Sequence, residues 1–155
     1  MDKHKQIKEW VRQIVNYHHE GIPDPHKMLI ICNKCDYDCW VDEFSNAYGF
    51  KMYFRPHLPT QFFDTSTGNI YEIYNERHVR SIACVRGQRF NVLFISEQDR
   101  IEMSRDARYT DCINCFCLAE GLDWLQCQSW QVVELTENKI TLIENNKEPC
   151  NGQYE

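Results

Sequence analysis

The sequence predicts a single α+β domain in which an antiparallel sheet packs against about three helices and a zinc ion stabilises the whole. Three observations carry that expectation. Apolar residues recur at steps of three and four in two separate stretches, the period of a helix face. Short segments rich in Val, Ile, Tyr and Phe, bounded by Gly, Pro, Asn and Asp, follow the pattern of strands and turns. Cysteines stand in two matched pairs, Cys32-x2-Cys35 and Cys112-x2-Cys115, a spacing that lets two thiolates turn toward one ion.

Taken in order, residues 5–18 place Ile7, Trp10, Val11, Ile14, Val15 and His18 on one helical face. Gly21 and Pro23 stop this helix, and GIPDPH is a loop. MLII (28–31) reads as a buried strand running straight into Cys32. In DCWVDEFSNAYG, Trp40, Val41, Phe44, Ala47 and Tyr48 again have helical spacing. Asp38 caps the start of this second helix (39–48), Cys39 takes its first position, and Gly49 ends it. FKMYF (50–54) is a strand, RPHLPTQFFDTSTG (55–68) a loop with two prolines, and NIYEIY (69–74) an alternating strand. VRSIACV and FNVLFI flank RGQR as a hairpin, completing an antiparallel sheet over 50–95. Ser96 ahead of Asp99 is a helix-start signal for a short polar helix at 97–108. A further helix spans 112–120, and WQVVEL and KITLI flank TENK as a final hairpin. The domain is expected over 1–145, with a polar tail at 146–155 and fraying from Glu144.

At 155 residues the chain has room for one sizeable core. No apolar run approaches the ~20 residues that span a membrane, and MDKHKQIKEW lacks the apolar stretch of a signal peptide. The expected compartment is therefore the reducing cytoplasm. There, an odd set of nine cysteines points to metal binding or thiol chemistry rather than to disulfides. The net charge of −6 excludes a surface that attracts nucleic acid or acidic membranes as a whole.

Zinc at Cys32, Cys35, Cys112 and Cys115 would join the first strand to a late helix, and such binding is folding free energy. Cys39 and Cys117 are alternative ligands, and His57 and His78 further donors. Cys84, Cys127 and Cys150 fit the role of small buried hydrophobes.

Cys39 also has the setting of a nucleophile, because a helix N-terminus favours a thiolate, although Asp36 and Asp38 act against it. Here the chain resembles papain-like cysteine peptidases in two short pieces. In YDCWVDEF a Cys-Trp pair opens a helix, and in RHVRSIACVRGQRFNVLFI a histidine begins a hairpin. The resemblance implies Cys39 as nucleophile, His78 as base, and Glu97 or Asp99 as the group that orients His78. A second arrangement, His78 ahead of Asn114-Cys115, is similar to small circularly permuted papain-like acyltransferases.

The remaining concentration of chemistry is basic. Arg77, Arg80, Arg86 and Arg89 follow one another with no acid until Glu97, and Tyr71 and Tyr74 stand just upstream. Arginine beside tyrosine suits phosphates and stacked bases, so a nucleotide or RNA is a candidate partner. Eight tyrosines, eight phenylalanines and four tryptophans exceed what one small core holds, and exposed aromatics anchor interfaces. The leading expectation is thus a small zinc-binding adaptor or regulator that captures another protein, of the kind found among viral or phage accessory factors. A cysteine hydrolase or acyltransferase and a nucleotide-binding module stand behind it.

Overall fold

A computed structural model describes residues 2–17, 27–47, 49–54, 59–75, 92–103, 130–137 and 139–146. Its element order begins with α1 (Lys3–Val15), β1 (Lys27–Ile31) and α2 (Tyr37–Ser45). Next come β2 (Phe50–Tyr53), β3 (Thr60–Asp64) and β4 (Ile70–Tyr74). The chain continues with β5 (Val92–Ser96) and a short helix, α3 (Glu97–Met103), and closes with β6 (Trp130–Leu135) and β7 (Ile140–Asn146).

The seven strands form one mixed sheet in the order β2-β3-β4-β1-β5-β6-β7. This corrects the antiparallel expectation. β1 pairs in parallel with both β4 and β5, and β5 pairs in parallel with β6. Only the flanks are antiparallel, β2 with β3, β3 with β4, and β6 with β7. The physical cause lies in MLII and VLFIS. Met28 to Ile31 and Val92 to Ser96 are buried without interruption, so both faces of these strands are covered. Continuous burial of that kind belongs to the parallel centre of a sheet rather than to a hairpin with one wet face. β5 has parallel neighbours on both edges, so no edge of 92–95 is left for the expected antiparallel partner. That partner, 79–85, lies outside the described residues, as does the expected helix at 112–120.

Two further expectations change. The segment 55–68 contains β3, whose alternation Thr60, Phe62, Asp64 inward was hidden by the prolines around it. Its polar part, Asp64 to Gly68, is the turn into β4. The Asp64 carboxylate accepts from the Ser66 N–H at 2.9 Å and from its hydroxyl at 2.7 Å. Gly68 closes this turn with φ 80, where a side chain would be strained. At the other end of the chain, Glu144 to Asn146 belong to β7 rather than to a frayed tail.

One layer of helices covers one face. Ile7, Trp10, Val11 and Ile14 of α1 and Trp40 and Phe44 of α2 pack on Met28, Ile30, Phe62, Tyr71, Ile73, Phe94, Val133 and Leu135. Trp10 stacks on Trp40, with ring centroids 6.0 Å apart and planes 11° from parallel, and this joins the two helices. Phe44 sits at the centre of a ring cluster, 5.4 Å from Phe62, 5.2 Å from Tyr71 and 5.9 Å from Phe50. At the far end, the Trp10 indole donates to the Thr136 carbonyl at 2.7 Å and the Gln6 amide donates to that of Glu137 at 3.1 Å. α1 therefore also fixes the β6–β7 turn. Among the described residues, no helix is long and apolar enough to cross a membrane.

Candidate functional site

The first cysteine cluster divides across the surface. Cys32 prolongs β1, donating its N–H to the Tyr74 carbonyl at 2.9 Å, and alternation turns its side chain into the core, where it is fully buried. Cys35, in the turn that follows, is exposed. The two thiols of this pair occupy opposite environments. Cys112, Cys115, Cys117, His57, His78 and the arginines Arg77, Arg80, Arg86 and Arg89 lie outside the described residues. Among the described residues no group of three or more His, Cys, Asp or Glu side chains is placed to hold a metal ion.

The parallel strands create a second locus. From β1 the chain moves to β4 on one side, and from β5 to β6 on the other, so a topological switch point lies between β1 and β5. The carboxyl ends of strands at such a point are where open α/β sheets place ligands. Here the loop after β1 meets the start of α3. The Asn33 amide donates to Asp36 at 2.8 Å and to Asp99 at 3.1 Å, and Lys3 approaches Asp36 at 3.6 Å. Ser96 caps α3 by accepting the Asp99 N–H at 3.1 Å, as the Ser96/Asp99 spacing predicts. Burial pushes the Asp99 carboxyl up, and the hydrogen bonds from Asn33 and Ser96 only partly oppose it. This network satisfies its own polar groups and acts as a clamp among α1, α2, α3 and β1. Beside it opens a pocket of about 310 Å³ bordered by Lys3, Gln6, Ser96, Glu97, Thr136 and Glu137 among others.

No family model, curated protein or solved structure matches the chain.

Cys39 meets the first turn of α1 through His4. α2 begins at Tyr37 with Asp36 at its cap, so Cys39 is the third helical residue rather than the first, and Asp38 stands inside the first turn. The Cys39 thiol lies 3.1 Å from Nδ1 of His4, and Nε2 of the same ring lies 3.3 Å from a carboxylate oxygen of Glu43. Glu43 is buried although His4 is exposed. Cys39 and Glu43 are four apart on α2, so both face the same neighbour. The thiol does not follow the expectation of a helix N-terminus. Burial pushes it up, and Glu43, Asp36, Asp42 and Asp2 push it further. The base expected beside Cys39, His78, is outside the described residues; the imidazole that stands beside the thiol is that of His4. No spacing in MDKHK marks His4, since its contact with α2 depends on how α1 crosses the sheet. Of the expected orienting residues, Glu97 is exposed beside the pocket, and Asp99 belongs to the Asn33 clamp.

The third locus is the sheet edge. β2 is the terminal strand, with β3 as its partner among the described residues. Phe50 is sheltered by Phe44. Beyond it, Met52, Tyr53 and Phe54 are 49%, 50% and 71% exposed. Three large apolar side chains in a row on a strand end are unusual outside an interface. FKMYF reads as a strand in the sequence, but nothing in it reveals that the helix layer stops at its first residue.

Proposed function

We propose that the chain is a binding protein that takes an extended segment of another protein along the edge of β2. The single observation behind this reading is the run Met52, Tyr53 and Phe54, exposed at and just beyond the end of the terminal strand β2. A terminal strand offers backbone donors and acceptors to a further strand, and its side chains supply selectivity. Lys51 is the one charged residue of β2, which favours a partner segment with an acid beside its apolar positions. A structural zinc at Cys32, Cys35, Cys112 and Cys115 is a separate proposal, and the burial of Cys32 in the core weighs against its membership.

The test is selection of extended peptides from a random library on the immobilised chain. Selected peptides are expected to share alternating apolar residues and to bind a Met52→Ser/Phe54→Ser double variant at least about 10-fold more weakly, as loss of hot-spot side chains does. Equal binding to the double variant, or selection that yields no shared pattern, rejects the reading. Nucleotide binding by the arginines at 77–89 is a second proposal, and a steep loss of affinity with salt is its signature.

A further inference from the structure

The contact of Cys39 with His4 serves no purpose in strand addition, and its chemistry is specific. We infer that Cys39, His4 and Glu43 form a thiol acyl-transfer site for esters or thioesters that carry no negative charge near the carbonyl. Geometry comes first. A carboxylate only accepts, so Glu43 holds the proton of the neutral imidazole on Nε2, 3.3 Å away. Nδ1 is then the free acceptor, and it faces the Cys39 thiol at 3.1 Å. Nucleophile, base and orienting carboxylate thus stand in line, each within or just beyond hydrogen-bond reach of the next. The arrangement does not suit a metal ion, because the two ring nitrogens point to different partners and the thiol and carboxylate do not converge.

The step balances without any group foreign to the chain except substrate and water. Cys39 Sγ attacks the carbonyl carbon and its proton passes to His4 Nδ1, giving an imidazolium held by Glu43. Collapse breaks the bond to the leaving alcohol or thiol, which carries that proton away. Water, giving a proton to Nδ1, then attacks the acyl-Cys39 thioester, and the acid leaves as the thiol reforms. Donors for the oxyanion come from the first turn of α2. Its first intrahelical bond is Trp40 N–H to the Asp36 carbonyl at 3.0 Å, and the Asp36 side chain makes no capping bond. The Cys39 N–H therefore precedes the hydrogen-bonded turns of the helix.

Substrate class follows from charge. Asp2, Asp36, Asp42 and Glu43 act on the thiol, and the same field repels an anionic acyl group. That field also makes the inference sharp. A thiol held up by burial and by four acids is a poor nucleophile when it acts alone, and exposed Cys35 in the same molecule should outrun it. Only transfer of the proton to His4 during attack reverses that order.

The experiment treats the purified chain with p-nitrophenyl acetate near neutral pH and follows acetylation at each cysteine by peptide mass spectrometry. Cys39 is expected to acetylate faster than Cys35. His4→Ala should slow Cys39 about 100-fold, the low end of general-base catalysis, and Glu43→Gln about 10-fold, with Cys35 unchanged in both. His4 is exposed, so its variant should keep the parent's circular dichroism and melting temperature; His4→Gln serves if His4→Ala does not. A negatively charged ester, p-nitrophenyl hemisuccinate, should lose more rate at Cys39 than at Cys35. Cys39 acetylating no faster than Cys35, or at a rate within twofold of the parent in both His4 variants, overturns the inference.

Discussion

Phe44→Ala is the change that most directly tests how α2 is held, and with it the position of Cys39. Phe44 is fully buried. Its ring meets Trp40, Phe50, Phe62 and Tyr71 at centroid distances between 5.2 and 6.3 Å. Truncating a buried Phe to Ala costs about 3–5 kcal/mol in transfer and cavity terms. Four ring partners, each contributing roughly 0.5–1.5 kcal/mol beyond area, place this site at the upper end, about 4–5 kcal/mol. For a chain of 155 residues, urea unfolding has a slope of about 2 kcal/mol per molar. The midpoint should therefore fall by about 2 M, read by the fluorescence of Trp10 and Trp40 beside the site. Phe44→Leu keeps most of the volume and should cost about 1–1.5 kcal/mol. Phe54→Ser, on the exposed edge, should stay within about 0.5 kcal/mol. A Phe44→Ala shift below about 0.5 M, or one no larger than that of Phe54→Ser, would refute the assignment of α2 to the core.

Asp99→Asn probes the clamp at the switch point. Burial raises the Asp99 carboxyl in the folded chain. Its contribution to stability is thus complete below its ordinary value and is lost as pH rises through the raised one. The asparagine variant should gain on the parent in melting temperature as pH rises above the ordinary carboxylate value of about 4, and a gain that shrinks with rising pH contradicts the placement. Lys27→Met removes the ammonium that stands 3.1 Å from the Glu72 carboxylate, which is only 2% exposed. The expected loss is about 2–3 kcal/mol by chemical denaturation, less than for a fully buried pair because Lys27 is partly wet and Gln61 still donates to Glu72. Alkylation of the native chain should modify Cys35 quickly and Cys32 only on unfolding, with or without EDTA. Protection of both cysteines that EDTA relieves together would restore the zinc centre.

Much of the fold is written in periodicity. α1, α2, β1, β4 and the β6–β7 hairpin fall where apolar spacing puts them, because each must bury one stripe or one run. The direction of strands is not legible that way. MLII and FNVLFI look alike whether their neighbours run with or against them, and only the sheet order decides. β3 was concealed because Pro56 and Pro59 just ahead of it argue for a loop, while three inward side chains, Thr60, Phe62 and Asp64, are too few to outweigh them. At the candidate site, Cys39 stands out in the sequence through its place at a helix start. His4 does not, since a histidine four residues into a polar lead meets Cys39 only after α1 has crossed the sheet. The exposure of Met52 and Phe54 was equally hidden, being a property of where α2 ends.

The order of the sheet carries a consequence for how the molecule is made. β1, the middle strand of the described sheet, leaves the ribosome before every strand it pairs with, and its parallel neighbours β4 and β5 come much later in the chain. Until they arrive, Met28, Leu29, Ile30 and Ile31 have no lasting partner, so a nascent or shortened chain carries its stickiest segment uncovered. Fragments ending before β5 should therefore precipitate or be held by chaperones, while the whole chain folds in one late, cooperative event.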